Sequence, residues 1–131
     1  MQWSNFTKLD YFVLVELGEN LDDNDFEQFK EKWLSLYQEG KPFTIVFDTS
    51  KVGWVNPKYA LQMSEFIKDL RATEVIHGKQ LMTNCFIFYN SWYVKLLLKL
   101  IFYIQKPVAP VHILKKEDFD ISKYKIKNKY I

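Results

Sequence analysis

Between residues 83 and 114 the hydrophobic period of the chain changes twice, and that leaves few folds open. Residues 84–89 are rich in aromatic and apolar side chains, as in a strand with both faces covered. Asn90 and Ser91 follow, and either can cap a helix. Residues 92–106 then read as a helix whose only charges are Lys95, Lys99 and Lys106. Steps of four and seven set the three lysines on one stripe, and apart from Gln105 the rest of the helix is apolar or aromatic. Pro107 and Pro110 end that helix and introduce a short strand over 111–114. Strand, helix and strand in this order predict a right-handed crossover between parallel strands.

The rest of the chain repeats the alternation. Strands are expected over 3–7 and 11–17, the second nearly continuous in apolar residues and therefore inside the sheet. A helix over about 23–38 places Phe26, Phe29, Trp33, Leu36 and Tyr37 on one face. Asn24 with Glu27 reads as its capping box, and Gly40 as its stop. A strand over 43–47 follows. Asn56-Pro57 starts a second helix, expected over 57–71, with 72–80 a polar loop holding His77. Glu117, Asp118 and Phe119 start a short helix. Beyond it Lys123, Lys125, Lys127 and Lys129 alternate with Tyr124, Ile126, Asn128 and Tyr130, which suits a basic edge strand or extended arm.

The predicted order is β-β-α-β-α-β-α-β plus a tail: an α/β fold with a mixed sheet of about five strands, the central ones parallel, and three to four helices. The first strand is expected antiparallel at an edge. At 131 residues the chain reads as a single domain, 1–131, with 115–131 its basic C-terminal tail or edge strand. Residues 1–50 carry 4 Lys against 10 acids, a charge of −6, and residues 51–131 carry +8. The single cysteine, Cys85, excludes an internal disulfide and reads as a buried thiol in a reducing compartment. The start, MQWSNFTKLDYF, lacks the basic region and apolar run of a signal peptide. A helix over 92–106 falls short of the ~20 residues a bilayer span needs. The expectation is a soluble, cytoplasmic protein, with peripheral membrane association as the alternative.

Motifs for chemistry are sparse. Phosphate-binding GxxxxGK[ST], GxGxxG and GxSxG are absent, and His77 and His112 stand away from any ligand-spaced partner, so neither a metal nor a cofactor is implied. Asp48, at the carboxyl end of a parallel strand with Thr49 and Ser50 beside it, is the candidate ligand corner. Its structural reading is a carboxylate accepting backbone N–H groups to order the following loop. A lysine–tyrosine tail of net charge +3 over 115–131 is a weak signal for nucleic acid, since edge-strand lysines also prevent aggregation.

Several local strings resemble the STAS / CRAL-TRIO superfamily, the SpoIIAA-like fold. Leu17-Gly18-Glu19-Asn20-Leu21-Asp22 is similar to the turn after a STAS strand, and Phe47-Asp48-Thr49-Ser50-Lys51-Val52 to the D-x-S-x-V after the central strand. Tyr89-Asn90-Ser91-Trp92-Tyr93, Lys106-Pro107 and Val111-His112-Ile113-Leu114 resemble a CRAL-TRIO run in the same order. Where the bacterial antagonists carry a phosphorylated serine, this chain has Asn56-Pro57-Lys58. The resemblance implies a SpoIIAA-like sheet and non-catalytic binding. The residues expected to carry it are Trp92, Tyr93, Lys95, Leu96, Lys99, Tyr103 and Lys106, with Trp54 near the same edge. Expected partners are a protein or a second copy, or a lipid or anionic membrane surface. The rival expectation is a small enzyme working at Asp48, Thr49 and Ser50.

Overall fold

The computed structural model describes residues 3–78 and 80–118. It contains β1 (Ser4–Lys8), β2 (Val13–Leu17), α1 (Asp23–Ser35), β3 (Phe43–Asp48), α2 (Lys58–His77), β4 (Met82–Tyr89), α3 (Trp92–Ile104) and β5 (Val111–Lys115), then a 3-10 turn, Lys116–Asp118. The sheet order is β1-β2-β3-β4-β5, with β1 antiparallel to β2 and every other pair parallel. This is the α/β class and mixed sheet expected from the sequence, with β1 at its edge.

Each parallel strand pairs with the next one in sequence, so every crossover returns to an adjacent strand. Right-handed crossovers that always step in one direction put their helices on one face. The burial pattern agrees. Val15, Phe47 and Ile87 lie in register across β2, β3 and β4, in one core with Phe26, Phe29, Trp33, Phe66 and Leu70 from the helices. Leu14, Val46 and Phe86, one position back, belong to a separate cluster that contains no helical residue.

Phe29 stands at the centre of the helix-side core. Its ring lies 5.4 Å from Trp3, 5.6 Å from Trp33 and 6.1 Å from Phe47, each edge-to-face. Such pairs add about 0.5–1.5 kcal/mol beyond burial. The ring therefore ties the N-terminal segment, α1 and β3 together.

Boundaries depart from expectation where capping chemistry decides them. Asp22, not Asn24, caps α1: its Oδ1 accepts the Asp25 N–H at 2.7 Å. Residues 72–77, expected as loop, extend α2 by more than a turn, so His77 closes a helix. Ala72, Thr73 and Glu74 carry no breaker, and Gly78, at φ 74°, is the first residue that can adopt the left-handed cap. A Glu74 carboxylate oxygen accepts the Leu81 N–H and draws the chain into β4, which starts at Met82 rather than 84. α3 ends at Ile104, short of Lys106. His112, expected partly buried, is exposed, its ring stacked 4.8 Å from Phe86. Cys85 is buried as expected, and burial pushes its thiol up to about 12. Only Lys115–Asp118 of the tail fall among the described residues; the alternating stretch 123–130 lies outside them.

Phe29→Ala should lower unfolding stability by about 3–5 kcal/mol, the usual cost of removing a buried aromatic ring. Urea unfolding followed by circular dichroism checks it, and a loss below 1 kcal/mol would contradict the central place given to this ring.

Candidate functional site

α3 follows from its own sequence. Ser91 caps it, its Oγ accepting the Tyr93 N–H at 3.2 Å. Val94 and Ile101 are buried beneath it, with Leu97, Leu98 and Phe102 partly so. α2 offers Ala60 and Ser64 where α3 crosses, and small residues let the two helices approach. The Ser64 hydroxyl sits 3.5 Å from the Ile101 carbonyl.

Both ends of α3 are pinned by side chains. At the start, the Tyr93 hydroxyl donates to the Val55 carbonyl at 2.5 Å. At the end, the Arg71 guanidinium donates to the carbonyls of Lys106 and Pro107 at 2.9 and 3.3 Å. The helix is thus a fixed platform.

Its outward side remains open. Tyr103 is 89% exposed, Trp92 73% and Leu96 53%, and Leu100 and Ile104 continue the apolar strip. At about 100° per residue, Trp92 and Tyr103 stand at the middle of the exposed arc. Leu96, Leu100 and Ile104 fall to one flank and Lys95 and Lys99 to the other, with Lys106 two residues beyond the helix end. No carboxylate lies on this helix. The Lys95 ammonium sits 5.4 Å above the Tyr89 ring, which holds it at the flank. Trp54 is 72% exposed and adjoins Val55, the residue that Tyr93 grips, so a second tryptophan stands at the same end.

Of the expected residues, Trp92, Lys95, Leu96, Lys99 and Tyr103 lie on α3, Lys106 lies beyond its end, and Trp54 precedes Val55 in the loop that Tyr93 holds. Tyr93 is different: it is half-buried and turned to the β3–α2 loop, where it anchors the helix. Leu100 and Ile104 belong to the face and were missed. Their spacing of four from Leu96 was the available signal, but nothing in the sequence says which flank α2 covers.

The Asp48 corner is a junction. Asp48 Oδ1 accepts the Ser50 N–H at 3.0 Å, and Oδ2 pairs with Lys116 Nζ at 2.5 Å. The Thr49 hydroxyl and N–H both donate to the Phe88 carbonyl at 2.8 Å. Burial alone would raise the Asp48 carboxyl, but hydrogen bonds from Lys116 and Ser50 outweigh it and hold the group below its ordinary 3.8. Lys116 is the titratable neighbour that an enzyme here would need, and it is engaged as an ion-pair partner.

Two apolar cavities of about 100 and 120 Å³ flank Met63, Leu98 and Ile101 between sheet and helices. Of the corner residues only Thr49 reaches them. Among the described residues no group of three or more His, Cys, Asp or Glu is placed to hold a metal, and no helix is long and apolar enough to cross a membrane. No protein-family model matches the chain, and no curated protein matches it.

The depressed Asp48 carboxyl fixes a pH dependence. Its contribution to stability is complete above 3.8 and is lost as pH falls through the lower folded value. Asp48→Asn should therefore be less stable than the parent at neutral pH, with the gap closing on acidification below 3.8. Urea midpoints measured across that range check it; a gap unchanged by acid would show that the ion pair contributes nothing.

Proposed function

We propose that this chain is a non-enzymatic, STAS/CRAL-TRIO-like interaction module that seats on an anionic membrane surface through α3. The observation that carries the reading is the exposed face itself: a helix pinned at both ends presents aromatic and aliphatic side chains alongside Lys95 and Lys99 and no acid, with Lys106 just beyond its end.

A helix lying in the headgroup plane needs an apolar flank to bury and a basic flank for lipid phosphates. Leu96, Leu100 and Ile104 supply the first. Lys95, Lys99 and Lys106 supply the second, each worth about 1 kcal/mol near an anionic leaflet. Trp92, Tyr103 and Trp54 have the amphipathic rings that favour the membrane–water boundary. Since α3 is already folded and held, docking adds little ordering cost.

Charge argues against a second copy on this face. A two-fold contact centred on α3 would bring the three lysines of one copy towards those of the other. An acidic protein partner would meet the same lysines, but the three exposed rings favour a soft boundary over a shaped pocket.

Vesicle flotation tests the reading. The protein should float with phosphatidylserine-containing vesicles, stay down with phosphatidylcholine alone, and detach as salt rises. Leu96→Asp should abolish flotation, and Lys95→Glu with Lys99→Glu should weaken it by at least about 1 kcal/mol per position, with circular dichroism unchanged. If the parent ignores anionic vesicles, the membrane reading fails. If instead it elutes as a dimer that Leu96→Asp dissociates, the face is an interface between copies.

A further inference from the structure

We propose that the cleft where β4 and β5 end is a binding site for a phosphomonoester. The cleft holds about 240 Å³ and is lined by Tyr89, Asn90, Lys115, Lys116 and Glu117. None of these is an aliphatic side chain, so the cleft suits a small charged head group and not a hydrocarbon tail. It opens at the carboxyl ends of parallel strands, where α/β sheets receive their ligands.

The ladder brings the donors together. Tyr89 and Lys115 are register partners, the last pair between β4 and β5. Partners in a parallel ladder send their side chains to the same face. Tyr89 belongs to the helix-side core, so Lys115 stands beside its ring on that face. Lys95 reaches the same ring from α3, its ammonium 5.4 Å from the centroid. Lysines from two elements thus converge on one tyrosine.

Tyr89 carries the inference. The residue is only 9% exposed, yet among the described residues its hydroxyl makes no hydrogen bond, and it is not sealed from solvent. A tyrosine so enclosed normally spends its O–H on a partner. Here the hydroxyl has the cleft. The charges leave a positive balance. Lys116 is matched by Asp48, and Glu117 is the one carboxylate in the lining. Neither Lys95 nor Lys115 has an ion-pair partner among the described residues. A phosphomonoester dianion offers three terminal oxygens to Lys115, the Tyr89 hydroxyl and the Asn90 amide, and bonds to so charged an acceptor are the strong ones. The site adjoins α3 through Lys95 but does not need the membrane reading, because a soluble phosphomonoester would bind it as well as a lipid head group.

The full chain is titrated with glycerol 3-phosphate at constant ionic strength and followed by amide chemical shifts. Saturable shifts are expected at Asn90, Lys115 and Lys116. Tyr89→Phe, which keeps the ring, and Lys115→Gln should each weaken binding about tenfold, the usual loss of one hydrogen bond to a charged group. Lys8→Gln, on the opposite edge strand, should leave it unchanged. Vesicles separate the two sources. If the ligand is a lipid, phosphatidylcholine vesicles carrying phosphatidic acid should float more protein than phosphatidylserine vesicles of equal charge, and Tyr89→Phe should remove only that difference. Glycerol 3-phosphate binding with no preference for phosphatidic acid assigns the cleft to a soluble ligand and upholds it. Loss of all flotation would count against the membrane reading alone. No saturable binding of glycerol 3-phosphate, or binding that Tyr89→Phe does not weaken, would overturn the proposal.

Discussion

The structure depends on one topological constraint: four parallel strands laid down in sequence order, each joined to its immediate neighbour through a helix. With a fixed crossover hand, that order stacks all three helices on one side. The main core therefore lies in a single layer between helices and sheet, and the other side of the sheet needs a different cover. A doubly wound sheet, whose strand order reverses, would have covered both faces and left no such asymmetry.

Within that layer, position decides exposure. α1 and α2 bring Phe26, Phe29, Trp33 and Phe66 inward, and Phe29 links three segments through ring contacts. α3 belongs to the β4–β5 crossover at the end of the series, and α2 is the one helix it packs against extensively. Its inner side is closed by Val94 and Ile101, and its outer side has no further helix in the series to meet. Most of its length is apolar, so the leftover surface is greasy rather than merely polar. The lysines at its flank keep that surface compatible with water and set the sign of whatever it meets.

The corner after β3 shows how a motif that resembles a ligand site can serve structure. Asp48 holds the start of its own loop through Ser50 and the turn after β5 through Lys116, while Thr49 stitches that loop to β4 through Phe88. Three strands are thereby locked at their carboxyl ends. Those locks also fix the loop carrying Trp54 and Val55, and Val55 is what Tyr93 grips. The corner and the α3 face are mechanically connected.

Element type, order and pairing sense were legible in the sequence because they depend on local pattern: period two in the strands, period near 3.6 in α1 and α2, and proline or glycine at the breaks. The shared stripe of Lys95 and Lys99 on α3 was legible for the same reason, while Lys106 fell beyond the helix end. The boundaries that shifted, at Asp22, at residues 72–77 and at Met82, turned on single hydrogen bonds and the left-handed cap at Gly78, which composition does not rank. What the sequence could not decide was how much of α3 its own fold would hide. An almost wholly apolar helix has no polar side to mark the outside, so periodicity cannot separate core from surface. Only packing against α2 and the sheet, which draws together residues distant in the chain, selected Val94 and Ile101 for the interior and left Trp92, Leu96 and Tyr103 in water.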